Sequence, residues 1–179
     1  TFRGGVTPIK RGGGFQTKSL RLRDASGMQW QFRSIDKDPS SVLPPELQKT
    51  IAKNIIQDQI SISHPYSALV VKRLAAALGV LHAEPILVVL PDDPRLGEFR
   101  AEFGGVFGLI EERPTDGPDD EPGFAGSEKI TDSEELFDEL NQDNDELVNP
   151  RAYLTARLLD IFVGDWDRHV DQWRWAQFK

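Results

Sequence analysis

The chain has 179 residues, 39% of them hydrophobic, which is enough for one ordinary domain or two small lobes and excludes a disordered or collagen-like segment. With 21 Lys+Arg against 29 Asp+Glu the net charge is -8, which argues against a protein that coats nucleic acid by bulk positive charge. The absence of cysteine excludes a disulfide framework, a zinc-thiolate centre and a cysteine nucleophile, and it leaves the compartment open. The charge is unevenly distributed. Residues 1 to 37 carry eight basic side chains against two acids, a local +6, whereas residues 111 to 146 carry fifteen acids against Arg113 and Lys129, a local -13. The apolar runs fall far short of the roughly 20 residues that cross a bilayer, so no membrane span is expected. A start at Thr1 without a signal pattern, and a stop at Lys179 directly after an aromatic-rich run, predict a piece of a longer polypeptide.

Along the chain, Lys10 to Gly14 reads Lys-Arg-Gly-Gly-Gly, and Phe15 to Arg23 alternates as a strand with mixed faces. Asp24-Ala25-Ser26-Gly27 supplies a turn, and Met28 to Ile35 resumes a period of two, with Trp30, Phe32 and Ser34 on one face. The pair predicts a hairpin with a glycine loop at its entrance. Pro44 and Pro45 open a helix carrying Leu47, Ile51, Ile55 and Ile56, His64-Pro65 breaks it, and a second helix runs from about Tyr66 to Leu78 with Gly79 as its stop. Pro85 to Leu90 is continuous and β-branched and predicts a central strand; Phe103 to Glu111 predicts another. Pro114 to Gly126 changes to Pro, Gly and Asp, a linker or surface loop. Thr131 with Glu134 is a capping-box pattern before Leu136, Phe137 and Leu140. Asn149-Pro150 opens a last helix with Leu154, Leu158 and Phe162 on one face and Gly164 at its end.

The most chemically dense segment is Leu159 to Trp175, where Asp160, Asp165, Asp167 and Asp171 crowd with His169, Arg168, Arg174 and three Trp residues at a helix end. A carboxylate held beside a His and an Arg acts as a general base or a metal ligand, because its neighbours fix its orientation and charge. The same residues also suit a capped turn in which Arg168 pairs with an acid and the Trp residues are core. His64 and His82 stand at a helix break and after a helix, positions that suit hydrogen-bonded fillers, and their spacing fits no metal motif.

Gly164-Asp165-Trp166-Asp167-Arg168-His169, after an apolar helix that contains Asp160, resembles the catalytic loop of atypical kinases. It is similar to the secretory-pathway kinases with their Gly-Asn-x-Asp-Arg-His loop, and more distantly to HipA-type and CotH-type kinases. The resemblance implies an α+β kinase-like fold: an antiparallel-sheet small lobe with two helices over residues 1 to 113, an acidic Pro/Gly linker over 114 to 130, and the start of a helical large lobe over 131 to 179. It implies Asp167 as catalytic base, oriented by Asp165 and His169, with Gln172 at the place of the metal-binding Asn. Gly12, Gly13 and Gly14 stand where the phosphate loop belongs, and Arg33 stands where the third strand carries its phosphate-pairing Lys, with Lys37 as the fallback cation. Kinases pair that cation with a helix acid; the aligned position here is Ala68, with Asp58 the nearest acid and Gln59 the polar alternative. Glu111 and Glu112 stand where a hinge holds adenine by backbone groups. The implied cofactors are ATP with Mg²⁺ or Mn²⁺, and the acceptor is a protein, a sugar or a lipid headgroup. The second metal-binding Asp of the family is expected carboxyl-terminal to Lys179.

Two rival readings carry weight. Arg for Lys, Gln for Asn and the absent helix acid fit a catalytically inactive kinase-like module that binds a nucleotide or a protein. Asp160, Asp165, Asp167, His169 and Asp171 fit a metal-dependent phosphoester hydrolase, although such enzymes usually draw ligands from several separated strands.

Overall fold

The structure, a computed structural model, describes residues 2–12, 17–37, 64–118, 121–165 and 168–179. The helix expected from Pro44 onward lies outside these residues, with Asp58 and Gln59, as do Gly13, Gly14 and Asp167. The chain is α+β and divides into two compact units, one of residues 1–69 and 84–113, the other of residues 70–83 and 114–179. No helix among the described residues is long and apolar enough to cross a membrane.

The first unit is built on a five-stranded antiparallel sheet in the order β1-β2-β3-β5-β4. Its strands are β1 (Val6–Gly12), β2 (Thr17–Asp24), β3 (Gln29–Lys37), β4 (Ile86–Val89) and β5 (Phe107–Glu112). Alternation sets the two faces. Leu20 and Leu22 of β2, Trp30 and Phe32 of β3 and Ile110 of β5 point to one side and are buried against Leu90, Leu96 and Phe103. That cover comes from the β4–β5 connection. A 3₁₀ turn (Pro94–Phe99), capped by Asp93 through a 2.8 Å bond from the Arg95 amide, leads into the short helix α2 (Arg100–Phe103), whose Phe103 ring meets Phe32 edge-on at 6.3 Å.

The β2–β3 turn is tied by Asp24. Its Oδ1 accepts from the Ser26 amide (2.9 Å), the Ser26 hydroxyl (2.6 Å) and the Met28 amide (3.1 Å), and its Oδ2 accepts from the Trp30 indole (2.9 Å). Burial pushes this carboxyl up, but those donors outweigh it and hold the group below the ordinary carboxylate range.

Three sequence expectations are corrected in this unit. β1 precedes the expected hairpin and was concealed by Pro8; at a sheet edge the missing N–H is tolerated, and a register shift between Pro8 and Lys10 absorbs the irregularity. The β-branched run at Pro85 to Leu90 is not a central strand but the edge strand β4, with Val89 58% exposed, because β5 lies between it and β3. Phe103 belongs to a helical turn, and the last strand begins only at Phe107, after Gly105 turns the chain at φ +75°.

Gly108 faces Ser34 across the β3–β5 pair on the buried side. A Cβ there would run into the Arg33 carbonyl and the Phe32 ring. Gly108→Ala is therefore expected to destabilise the unit by about 1 to 3 kcal/mol, despite the better strand propensity of Ala. A lowered urea midpoint at unchanged slope is the expected reading; an unchanged midpoint would show that Phe32 swings aside.

In the second unit lie most of helix α1 (Ser67–Leu78), helices α3 (Ser133–Gln142) and α4 (Pro150–Val163), and a two-stranded antiparallel sheet of β6 (Lys129–Thr131) and β7 (Trp175–Gln177). α1 stops at Gly79 (φ +67°), where the Val80 amide donates to Ala75 at 2.9 Å. The stretch after Pro114 is anchored: the Phe124 amide donates to Thr115 (3.1 Å), the Ile130 amide to Asp116 Oδ1 (2.6 Å), and Phe124 is buried. Asp132 rather than Thr131 caps α3, accepting from the Glu134 and Glu135 amides at 3.1 Å, because Thr131 is the last residue of β6. Asn149 caps α4 as expected, and Gly164 ends it at φ 73°. The face of α4 differs from expectation. Leu154, Leu158 and Phe162 are exposed, and the buried residues are Ala156, Leu159 and Asp160, because the returning loop covers the side that carries the carboxylate.

Candidate functional site

Asp160 organises the segment after α4. Its carboxylate is buried and accepts from Arg157 Nη1 at 2.9 Å, one turn earlier on the helix, and from Arg168 Nη1 at 3.4 Å, across the loop. Arg157 Nη1 also reaches the Arg168 carbonyl at 3.3 Å. Burial pushes Asp160 above the ordinary carboxylate range, against the opposing pull of Arg168 and Arg157.

Both guanidinium groups lie over Trp173, at 4.8 Å for Arg168 and 5.7 Å for Arg157. Trp173 stacks on Trp175 at 5.6 Å, and Tyr153 of α4 leans on both. The Trp175 indole donates to Ser133 Oγ (3.0 Å), which donates to the Val170 carbonyl (2.8 Å). The segment from Arg168 to Trp175 is thus held to α4 by rings and ion pairs.

Asp167, the expected base, lies outside the described residues; its chain neighbour Arg168 is the residue held by Asp160. Asp165 is exposed, and its amide donates to the Asp160 carbonyl at 2.9 Å, which closes the helix end. His169 Nδ1 stands 3.4 Å from Asp171 Oδ2, with both side chains exposed. Gln172 is exposed on a 3₁₀ turn (Val170–Gln172). Among the described residues no three His, Asp or Glu side chains are gathered as a metal-binding group.

In the first unit, Arg33 Nη1 donates to Glu111 Oε1. Gln31 stands opposite Glu111 and Arg33 opposite Leu109, so the pair is a diagonal contact on the face of the sheet away from the core. Glu111 is therefore the acid paired with Arg33; the helix acid expected for this cation, with Asp58 nearest to the aligned Ala68, lies outside the described residues. β4 pairs with β5 only as far as Ile110, so Glu111 and Glu112 have a strand neighbour on the β3 side alone. Burial pushes the Glu112 carboxyl up. Gly12 is the last residue of β1 and Thr17 the first of β2, so the glycine run lies in the β1–β2 connection, at the entrance to the β2–β3 hairpin. Lys37 ends β3, opposite Thr17.

His64 Nδ1 accepts from the Tyr66 amide at 3.2 Å, and His82 Nδ1 donates to the Val80 carbonyl at 2.7 Å. Arg157, Tyr153 and Ser133 were not singled out in the sequence. Arg157 carried a signal, three residues before Asp160 on the helix, the spacing at which side chains on a helix meet. No family model, curated protein or solved structure matches the chain.

Proposed function

We propose that the chain belongs to a kinase-like phosphotransferase; its first unit carries groups suited to nucleotide phosphates, and Asp167, the proposed base, belongs to the second. The observation that carries this reading is the Arg33–Glu111 pair on the third strand of a sheet whose first two strands are joined by the glycine run. A kinase-type site needs a cation on that strand, steadied by a carboxylate, near backbone amides that approach phosphate. β5 reaches Glu112 one residue before Arg113, the last residue of the first unit, where a hinge contact to adenine would fall.

In the reaction, Asp167 accepts the proton of the acceptor hydroxyl as its oxygen bonds to the γ-phosphorus. The bond from that phosphorus to the β–γ bridging oxygen breaks, and ADP leaves with the electron pair. Asp160, through Arg168, holds the backbone next to that base. The acceptor belongs to the class of alcohols, whether on a protein, a sugar or a lipid headgroup. The gathered groups of the described residues do not make up a site for Mg²⁺ or Mn²⁺, and no step is assigned to the metal.

Calorimetric titration of ATP with Mg²⁺ into the full chain tests the reading. Arg33→Ala removes a phosphate-pairing cation and leaves Glu111 as an unbalanced negative charge. Affinity is expected to fall roughly tenfold to a hundredfold, equivalent to about 1.5 to 3 kcal/mol. Equal affinity would remove Arg33 from the site, and a parent that binds no ATP would overturn the nucleotide reading itself.

A further inference from the structure

On the same sheet face as Arg33, the end of β1 gathers polar side chains around one buried donor that has no partner among the described residues. A Cβ built on Gly12 would stand 3.5 Å from Ser19 Oγ, 3.7 Å from Gln31 Nε2 and 3.9 Å from Arg21 Nε, so these three groups converge beside the glycine backbone. Ser19 and Gln31 are buried, and Gln31 Nε2 donates to Ser19 Oγ, which leaves the Ser19 hydroxyl hydrogen to point elsewhere. Arg21 stands in register between Lys10 of β1 and Gln31 of β3. Its Nε is buried and has no hydrogen-bond partner among the described residues.

Such an N–H is costly to leave unsatisfied, and a charged donor more so. Ser19 Oγ already accepts from Gln31, so the unmet donor at this corner is the Arg21 guanidinium edge. Glu111, which stands opposite Gln31 on the neighbouring strand, is engaged by Arg33. An anion oxygen satisfies the arrangement where a neutral or cationic group would not, and a guanidinium edge beside glycine backbone suits the oxygens of phosphate in particular.

We infer that Gly12, Ser19, Arg21 and Gln31 form a phosphate-binding corner, with Arg21 as a second cation for the polyphosphate chain beside Arg33. The inference rests on the nucleotide reading and extends it to residues that the sequence did not single out. It commits to a di- or triphosphate ligand, because two guanidinium groups on neighbouring strands of one face match a chain of linked phosphates better than a single one.

The test is calorimetry on the full chain with ATP, inorganic tripolyphosphate and AMP as separate probes. Arg21→Ala is expected to weaken tripolyphosphate and ATP binding at least tenfold and AMP binding little. Arg21→Lys should recover only part of the loss, since an ammonium lacks the planar pair of donors. Folding should survive, because the substitution removes an unpartnered buried group; a melting temperature at or above that of the parent is expected, and Arg21→Gln provides a second variant of similar length. Tripolyphosphate affinity equal to the parent in Arg21→Ala overturns the corner while leaving Arg33 and the nucleotide reading intact. Arg21-dependent tripolyphosphate binding, with no phosphate transfer by the full-length protein, supports the corner and overturns the phosphotransferase. A parent that binds neither ATP nor tripolyphosphate overturns both.

Discussion

Phosphate transfer from ATP by the full-length protein is expected to fall by on the order of 10² to 10⁴ when Asp167 is replaced by Asn, with nucleotide affinity nearly unchanged. Asn preserves the shape of the side chain but cannot take the hydroxyl proton, so the loss falls on the chemical step. It corresponds to about 2.7 to 5.5 kcal/mol of barrier, as much as a positioned base supplies. Arg168, next in the chain, is held by Asp160 and by the Trp173 ring, and both of these anchors are kept in the variant. An inactive binding module gives no transfer in either protein. A metal-dependent hydrolase gives phosphoester cleavage without ATP and loses it equally on substitution of Asp160 or Asp171. Full transfer by Asp167→Asn would remove the assignment of the loop.

Asp160→Ala is expected to destabilise the second unit by about 2 to 4 kcal/mol, because it leaves two guanidinium groups against an aromatic stack without their shared carboxylate. The loss stays below that of a wholly buried pair, since the Arg157 and Arg168 side chains are 34% and 35% exposed and can be partly hydrated. Asp160→Asn should cost less, because it keeps one acceptor and removes the burial of a charge. The pH dependence has a definite sign. Burial raises the folded-state pKa, so the native state holds the Asp160 proton more tightly than the unfolded chain. Stability from this group therefore falls as pH rises from the ordinary carboxylate value through the raised one, and Asp160→Asn removes that fall. Urea unfolding of parent and variants across that window measures both effects. An unchanged midpoint in Asp160→Ala would show that the arginines do not depend on the carboxylate.

Much of this arrangement was legible in the residues. Alternation located β2 and β3, Asn149-Pro150 and Gly164 bracketed α4, and Gly79 marked the end of α1, because each signal is local. What was not legible depends on pairing between distant segments. The acid partner of Arg33 was sought on a helix, whereas the β3–β5 register brings Glu111 to it from 78 residues away. β4 has the composition of a central strand, and only strand order makes it an edge. In α4 the apolar periodicity pointed to Leu154, Leu158 and Phe162, but the buried side is the one that carries Asp160, since the aromatic run after the loop folds back there as β7. The loop motif was visible as a string of residues; its anchoring by Arg157, Tyr153 and Ser133 was not.

The stacked indoles also give the molecule a built-in optical probe. Trp173 and Trp175 are held with ring planes 25° apart in a fixed asymmetric setting, and such immobilised indoles are expected to contribute to the near-ultraviolet circular dichroism. Trp30 belongs to the first unit, where it packs edge-on against Phe2. Loosening of the segment from Arg168 to Trp175 would then be seen as a loss of near-ultraviolet intensity ahead of global unfolding, and opening of this segment can be followed without a label.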